Sequence, residues 1–133
     1  MEKNTEINKF KEKSVYVICW AGSDRSKYIA DELMQRGYLA EHGGVMDGQN
    51  YVTKEDLSYV GSIIFSSIFE KEKFDKDKDL KDFAKNNGIQ IFVMNITESD
   101  KDRAHNSEKV DLLKKEVSSQ LDHIGFKKLK NIK

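Results

Sequence analysis

The chain has 133 residues, 38% hydrophobic and 35% charged, with 23 basic and 23 acidic side chains and a formal net charge of zero. That length suits a single domain over 1–133 with one sizeable core. The charge balance lacks the basic excess of a nucleic-acid binder, and no apolar run approaches the roughly 20 residues of a membrane span.

Met1 to Lys13 is charged throughout, shows no secretory pattern and reads as a mobile tail in which Phe10 tethers to the body. The lone cysteine, Cys19, forms no internal disulfide, which fits a reduced, cytoplasmic protein. A monomer or weak dimer without membrane or nucleic-acid partners is expected. There is no proline, so turns rest on Gly, Asn, Asp and Ser.

Ser14 to Ile18 is a continuous apolar run, as in a central strand covered on both faces. Ser26 to Arg36 has helical spacing, with Ile29, Ala30, Leu33 and Met34 on one face and Lys27, Asp31, Glu32 and Gln35 on the other. Gly37 ends that helix. Tyr38 to His42 follows as a short strand closed by Gly43 and Gly44. Val45 to Val52 contains turn residues, and Thr53 caps a short helix, Lys54 to Tyr59. Gly61 to Ser66 is a third strand.

Between Ile68 and Asn87 charges alternate over a sparse stripe of Phe69, Phe74, Leu80, Phe83 and Ala84. The spacing predicts one or two surface helices, broken around Asp75 to Asp79 and closed by Asn87 and Gly88. Gln90 to Met94 is the fourth strand. A polar loop, Asn95 to Ser107, is long enough for a functional lid. A final helix from about Glu108 to Ile124 carries Val110, Leu113, Val117, Leu121 and Ile124 on one stripe. Phe126 to Lys133 is basic and expected to fray. Strands alternating with helices predict an α/β fold, a three-layer doubly wound sheet of four parallel strands. Cys19 and the loop after Met94 then open on the same edge, where such sheets bind ligands.

Cys19-Trp20-Ala21-Gly22-Ser23-Asp24-Arg25-Ser26 joins the first strand to the first helix. Cys-x5-Arg-Ser suits phosphoryl transfer to a thiolate. Backbone amides from Trp20 to Arg25 and a helix N-terminus surround one anion. Arg25 can hold two phosphate oxygens and, with the helix end, favours the thiolate. Ser26 can hydrogen-bond the sulfur and ease its departure, and Gly22 permits a tight path. Asp24 is read as turned outward, bracing Lys27 or Arg25. Trp20 is either a pocket wall stacking on an aromatic leaving group or core. His42, His105 and His123 are scattered without ligand spacing, so neither metal nor cofactor is expected.

The loop and its position resemble the low-molecular-weight protein tyrosine phosphatase family, and above all its small predicted tyrosine phosphatase branch. The similarity is good over Ser14 to Gly44 and loose from Gly61 to about Asp100. It implies a low-molecular-weight phosphatase-like sheet and hydrolysis of a phosphorylated protein or small phosphomonoester through phosphocysteine. It also implies an acid from the loop after the fourth strand, which protonates the leaving oxygen and then activates water. Three features depart from the family. Lys27 replaces the common Pro, Gly22 replaces a bracing Asn, and Asn95-Ile96-Thr97-Glu98-Ser99-Asp100 replaces the usual Asp beside a Pro. Glu98 is the closest positional match for the acid, Asp100 matches in residue type, and Asp102 is a distant third.

Three other readings compete. Cys19-x-Ala21-Gly22 followed by Ser26 also resembles the cysteine-phosphorylated IIB subunits of sugar phosphotransferase systems. Those subunits usually lack Arg at the position of Arg25, so Arg25 favours a hydrolase. The second is a non-catalytic phosphate-binding relative. The third is an arsenate reductase, against which the lack of further cysteines argues.

Overall fold

The computed structural model describes residues 13–19, 24–45, 51–96 and 107–129, with backbone alone for 24, 25 and 107–110. Strand β1, Ser14–Cys19, is buried at every position. It pairs on one side with β2, Leu39–Gly44, and on the other with β3, Ser62–Phe65. Strand β4, Gln90–Val93, pairs with β3 and closes the order β2-β1-β3-β4, all parallel. The doubly wound parallel sheet is as expected.

Alternation along β1 divides its side chains between two cores. Val15 and Val17 face α1, Asp24–Gln35, and α5, Ser107–Ile124. Ile29, Ala30, Leu33, Leu113, Val117 and Leu121 complete that layer. Tyr16 and Ile18 face α2, Lys54–Leu57, α3, Ile68–Asp75, and α4, Lys78–Asn86. Leu57, Phe74, Leu80 and Ala84 fill that side, where Phe65 and Phe74 meet edge to face.

Helix α1 returns the chain from β1 to β2, while β3 and β4 lie on the other side of β1. The order therefore reverses between β1 and β3. Their carboxyl ends flank the crevice in which such sheets bind ligands.

Capping explains the helix ends. Thr53 accepts from Asp56 N–H, and the Asp56 carboxylate accepts from Thr53 N–H, a full capping box. The break between α3 and α4 falls where expected because Asp77 caps α4, its carboxylate accepting from Leu80 N–H at 3.2 Å. Gly37, at φ 101°, ends α1 with Tyr38 N–H on Leu33 C=O and its own N–H on Met34 C=O. That is the paired bonding for which a left-handed residue is needed.

Several expectations are corrected. Gly43 and Gly44 do not close β2 but belong to it, paired with Ile18 and Cys19, because the neighbouring strand supplies the ladder. Met34 is 51% exposed, so the buried stripe of α1 is Ile29, Ala30 and Leu33. Phe69 is 70% exposed, while the adjacent Glu70 is buried at 2%. The short helix stops at Leu57 rather than Tyr59. The fraying expected of Phe126 to Lys133 does not hold from Phe126 through Leu129. Phe126 is buried against Tyr38 and Phe92, and Leu129 N–H donates to Arg36 C=O at 2.8 Å. The N-terminal tail, apart from Lys13, lies outside the described residues.

Arg36, just beyond α1, explains that packed end. Its Nε donates to Glu32 Oε2 at 2.8 Å, and Nη1 to Asp122 Oδ1 at 2.7 Å and to Phe126 C=O at 2.9 Å. Nη2 donates to Ser118 Oγ at 2.8 Å and to its C=O at 3.1 Å. Burial opposes the guanidinium charge, but Glu32 and Asp122 more than offset it and hold the proton more tightly than usual. Lys has no planar fork to reproduce these bonds. Arg36→Lys should therefore cost about 1–3 kcal/mol, as expected when the bonds to the Phe126 and Ser118 carbonyls lose their donors. Urea unfolding reads this, and an unchanged midpoint would remove Arg36 as the brace between α1 and α5.

Tyr16 donates to Asp56 Oδ2 at 3.4 Å. Burial first, then the Asp56 and Glu41 charges, push its phenol above the ordinary 10.0. Below pH 10.0 folded and unfolded chains both keep that proton, and the stabilisation is fully present. Above it the unfolded chain ionises first, so stability falls as pH rises. Tyr16→Phe should lose less stability than wild type between neutral and strongly alkaline pH in paired denaturant titrations. Parallel loss in both proteins would refute this origin.

Candidate functional site

Cys19 ends β1 and is 1% exposed. It lies on the same face as Val15 and Val17, turned toward α1. Ser26, the third residue of α1, is fully buried. The Cys19 thiol donates to Ser26 Oγ at 3.2 Å. The sulfur thus sits by the first turn of a 12-residue helix, whose dipole favours negative charge.

A third group completes this chain. His42 Nδ1 lies 3.2 Å from Ser26 Oγ. The parallel register pairs His42 with Val17, so both project toward α1. His42 is exposed, whereas Cys19 and Ser26 are buried. Sequence spacing could not find His42, because its meeting with Ser26 depends on how β2 registers against β1.

On the β3 side, Ser66 N–H donates to Ile18 C=O at 2.9 Å, placing Ser66 next to the end of β1. The Ser66 hydroxyl donates to Glu70 Oε1 at 2.9 Å, and the Ser67 hydroxyl donates to Glu70 Oε2. Glu70 is therefore a buried carboxylate with hydroxyl donors on both oxygens. Ser67 occupies the N-cap of α3 without bonding a backbone amide. It reaches the carboxylate three residues on instead, which ties the first turn of α3 to the end of β3. Ile68 and Phe69 are left exposed on that turn. A serine pair followed at i+3 and i+4 by Glu was the available signal, hidden within a charge-alternating stretch.

The start of the loop after β4 is also fixed. Met94 N–H donates to Phe65 C=O at 2.8 Å, and Ile96 N–H to Ser66 C=O at 3.0 Å. Gln120 of α5 takes the Asn95 N–H at 2.6 Å and donates to the Asn95 C=O at 2.9 Å. The chain leading to Glu98 and Asp100 thus leaves from the same edge as Cys19.

Of the expected site residues, Cys19 and Ser26 are brought together. Trp20, Ala21, Gly22 and Ser23 lie outside the described residues, as do Glu98, Asp100, Asp102 and His105, and so do the side chains of Asp24 and Arg25. A groove of about 510 Å³ opens at the opposite sheet edge, lined by Ser14, Leu39, Asp56 and Tyr59 among others. It faces the amino ends of β1 and β2, away from Cys19. No helix among the described residues is long and apolar enough to cross a membrane.

No family model matches the chain, and no curated protein matches it. The membership expected from the loop is therefore not extended by a family match. Among solved structures the chain is similar to the lactose-specific IIB component domain of the phosphoenolpyruvate:carbohydrate phosphotransferase system from Streptococcus pneumoniae. Identity is 21%, covering 85% of this chain and 98% of that one, with a TM-score of 0.49. That name belongs to the IIB class weighed above against a phosphatase, and not to a phosphatase. A likeness at this level bears on neither activity nor substrate.

Glu70→Gln should cost about 1 kcal/mol, because an amide nitrogen cannot accept and one serine hydroxyl loses its acceptor. Chemical denaturation checks this. A variant as stable as wild type would mean that the turn does not rest on the carboxylate.

Proposed function

We propose that Cys19 is the nucleophile of a phosphomonoester hydrolase, resembling protein tyrosine phosphatases, that acts through phosphocysteine. The observation that carries this reading is the buried bond between Cys19 Sγ and Ser26 Oγ, made where α1 begins at the switch point of the sheet. A thiolate there gains a hydroxyl donor and a helix end, while the opening toward ligand lies between β1 and β3.

Chemistry follows from those groups. Cys19 Sγ attacks phosphorus, and the S–P bond forms as the ester P–O bond breaks. Arg25 and the amides of Trp20 to Arg25 neutralise the equatorial oxygens. Glu98 or Asp100 gives its proton to the departing oxygen and then takes one from water. Water breaks the S–P bond, inorganic phosphate leaves, and the Ser26 hydroxyl stabilises the returning thiolate.

A second reading, a IIB-type phosphocarrier, rests on Cys19-x-Ala21-Gly22 with Ser26. It keeps the S–P bond but passes the phosphoryl group to another acceptor instead of water. Arg25 argues for hydrolysis, since such carriers usually lack an Arg at its position and a guanidinium there can hold two phosphate oxygens.

Assay with p-nitrophenyl phosphate separates the two. Wild type should turn over, and Cys19→Ser should fall to the buffer rate. Arg25→Ala should lower kcat/KM about 10²–10³-fold, as for loss of one preorganised donor. Ser26→Ala should slow phosphocysteine breakdown about tenfold, the scale of one hydrogen bond to a charged group. Undiminished turnover by Cys19→Ser would end both readings, and phosphocysteine that forms but does not hydrolyse would select the carrier.

A further inference from the structure

We infer that His42 is a positioning residue that holds the Ser26 hydroxyl in the direction a Cys19 thiolate requires. The inference rests on reading Cys19 as the nucleophile.

The argument is one of hydrogen-bond direction along Cys19 Sγ, Ser26 Oγ and His42 Nδ1, each step 3.2 Å. A hydroxyl has one hydrogen. With Cys19 as a thiol, S–H points at Ser26 Oγ, and the Ser26 hydrogen then points away from sulfur, a direction in which an unprotonated Nδ1 can accept it. With Cys19 as a thiolate, sulfur can only accept, so the Ser26 hydroxyl must turn and donate to it. Its lone pairs then face His42, and Nδ1 must carry a hydrogen to avoid two acceptors meeting. An imidazole with hydrogen on Nδ1, neutral or cationic, therefore selects the hydroxyl direction that suits the nucleophile.

Placement supports this role. Cys19 and Ser26 are buried, so their rotamers are set by packing. His42 stands at the exposed end of the row. Its register partner on β1 is the uncharged Val17, α1 reaches it through the uncharged Ser26, and Glu41 is the charged neighbour on its own strand.

The single cysteine makes the test direct. Thiolate absorbance in the far ultraviolet, with Cys19→Ser as blank, reports Cys19 without needing reagent access or a substrate. At fixed neutral pH, His42→Phe and His42→Gln should lower the thiolate-to-thiol ratio about tenfold, the scale of one charge-assisted hydrogen bond. His42→Asn, whose amide N–H falls near the place of Nδ1, should stay within about twofold of wild type. In a Ser26→Ala background, His42→Phe should have no further effect. An unchanged ratio in His42→Phe overturns the inference. So does His42→Asn as low as His42→Phe, or a His42→Phe effect that persists without Ser26. The absorbance needs no turnover, so these outcomes are separate from success or failure of the phosphatase assay.

Discussion

Strand β1 has no free edge and no free face, and the rest of the molecule follows from that. Parallel neighbours take its backbone groups on both sides, while α1 and α5 cover one face and α2, α3 and α4 the other. A strand so enclosed meets ligands only at its ends. At the carboxyl end the chain leaves toward β2 while the next strand, β3, lies on the other side, and Cys19 ends β1 at that switch point. Burial of the strand fixes the sulfur in place. The turn into α1 sets the first turn of a helix beside it. The phosphoryl chemistry proposed for the site needs both.

Much of the scaffold was legible because periodicity reports burial. Val15 to Ile18 had no polar interruption and proved central, and Leu113, Val117 and Leu121 recurred on one face and proved buried. The α3–α4 break was legible in a run of charged residues because Asp is a helix cap, and Asp77 caps α4. What could not be read were groups whose roles depend on partners distant in sequence. Glu70 read as one more charge on a surface helix. It is buried because two serines at the end of β3 satisfy it, and Phe69 is turned out as a result. His42 looked isolated because register, not spacing, brings it to Ser26. Of the site itself, spacing found the cysteine and the serine now seen in contact, but not the histidine behind them.

The two sides of the β1 carboxyl end are built differently. On the β2 side a thiol, a hydroxyl and an imidazole form a row whose hydrogens can reverse direction without moving heavy atoms. On the β3 side two hydroxyls converge on one carboxylate, an arrangement with a single direction. The first is suited to a group that alternates between charged and neutral forms. The second is suited to holding a turn still while that happens.

Arg36 has a reach that its distance from the sulfur conceals. It grips the far end of α1, and a 12-residue helix spans about 18 Å. A rigid rod clamped at one end delivers its other end to a fixed point. The serine that meets the sulfur is carried on that delivered end, so the meeting of Ser26 with Cys19 is set partly from the opposite side of the molecule. Sequence drift in the last turns of α5 would register as a displaced contact between Ser26 and Cys19 rather than as a change at either residue.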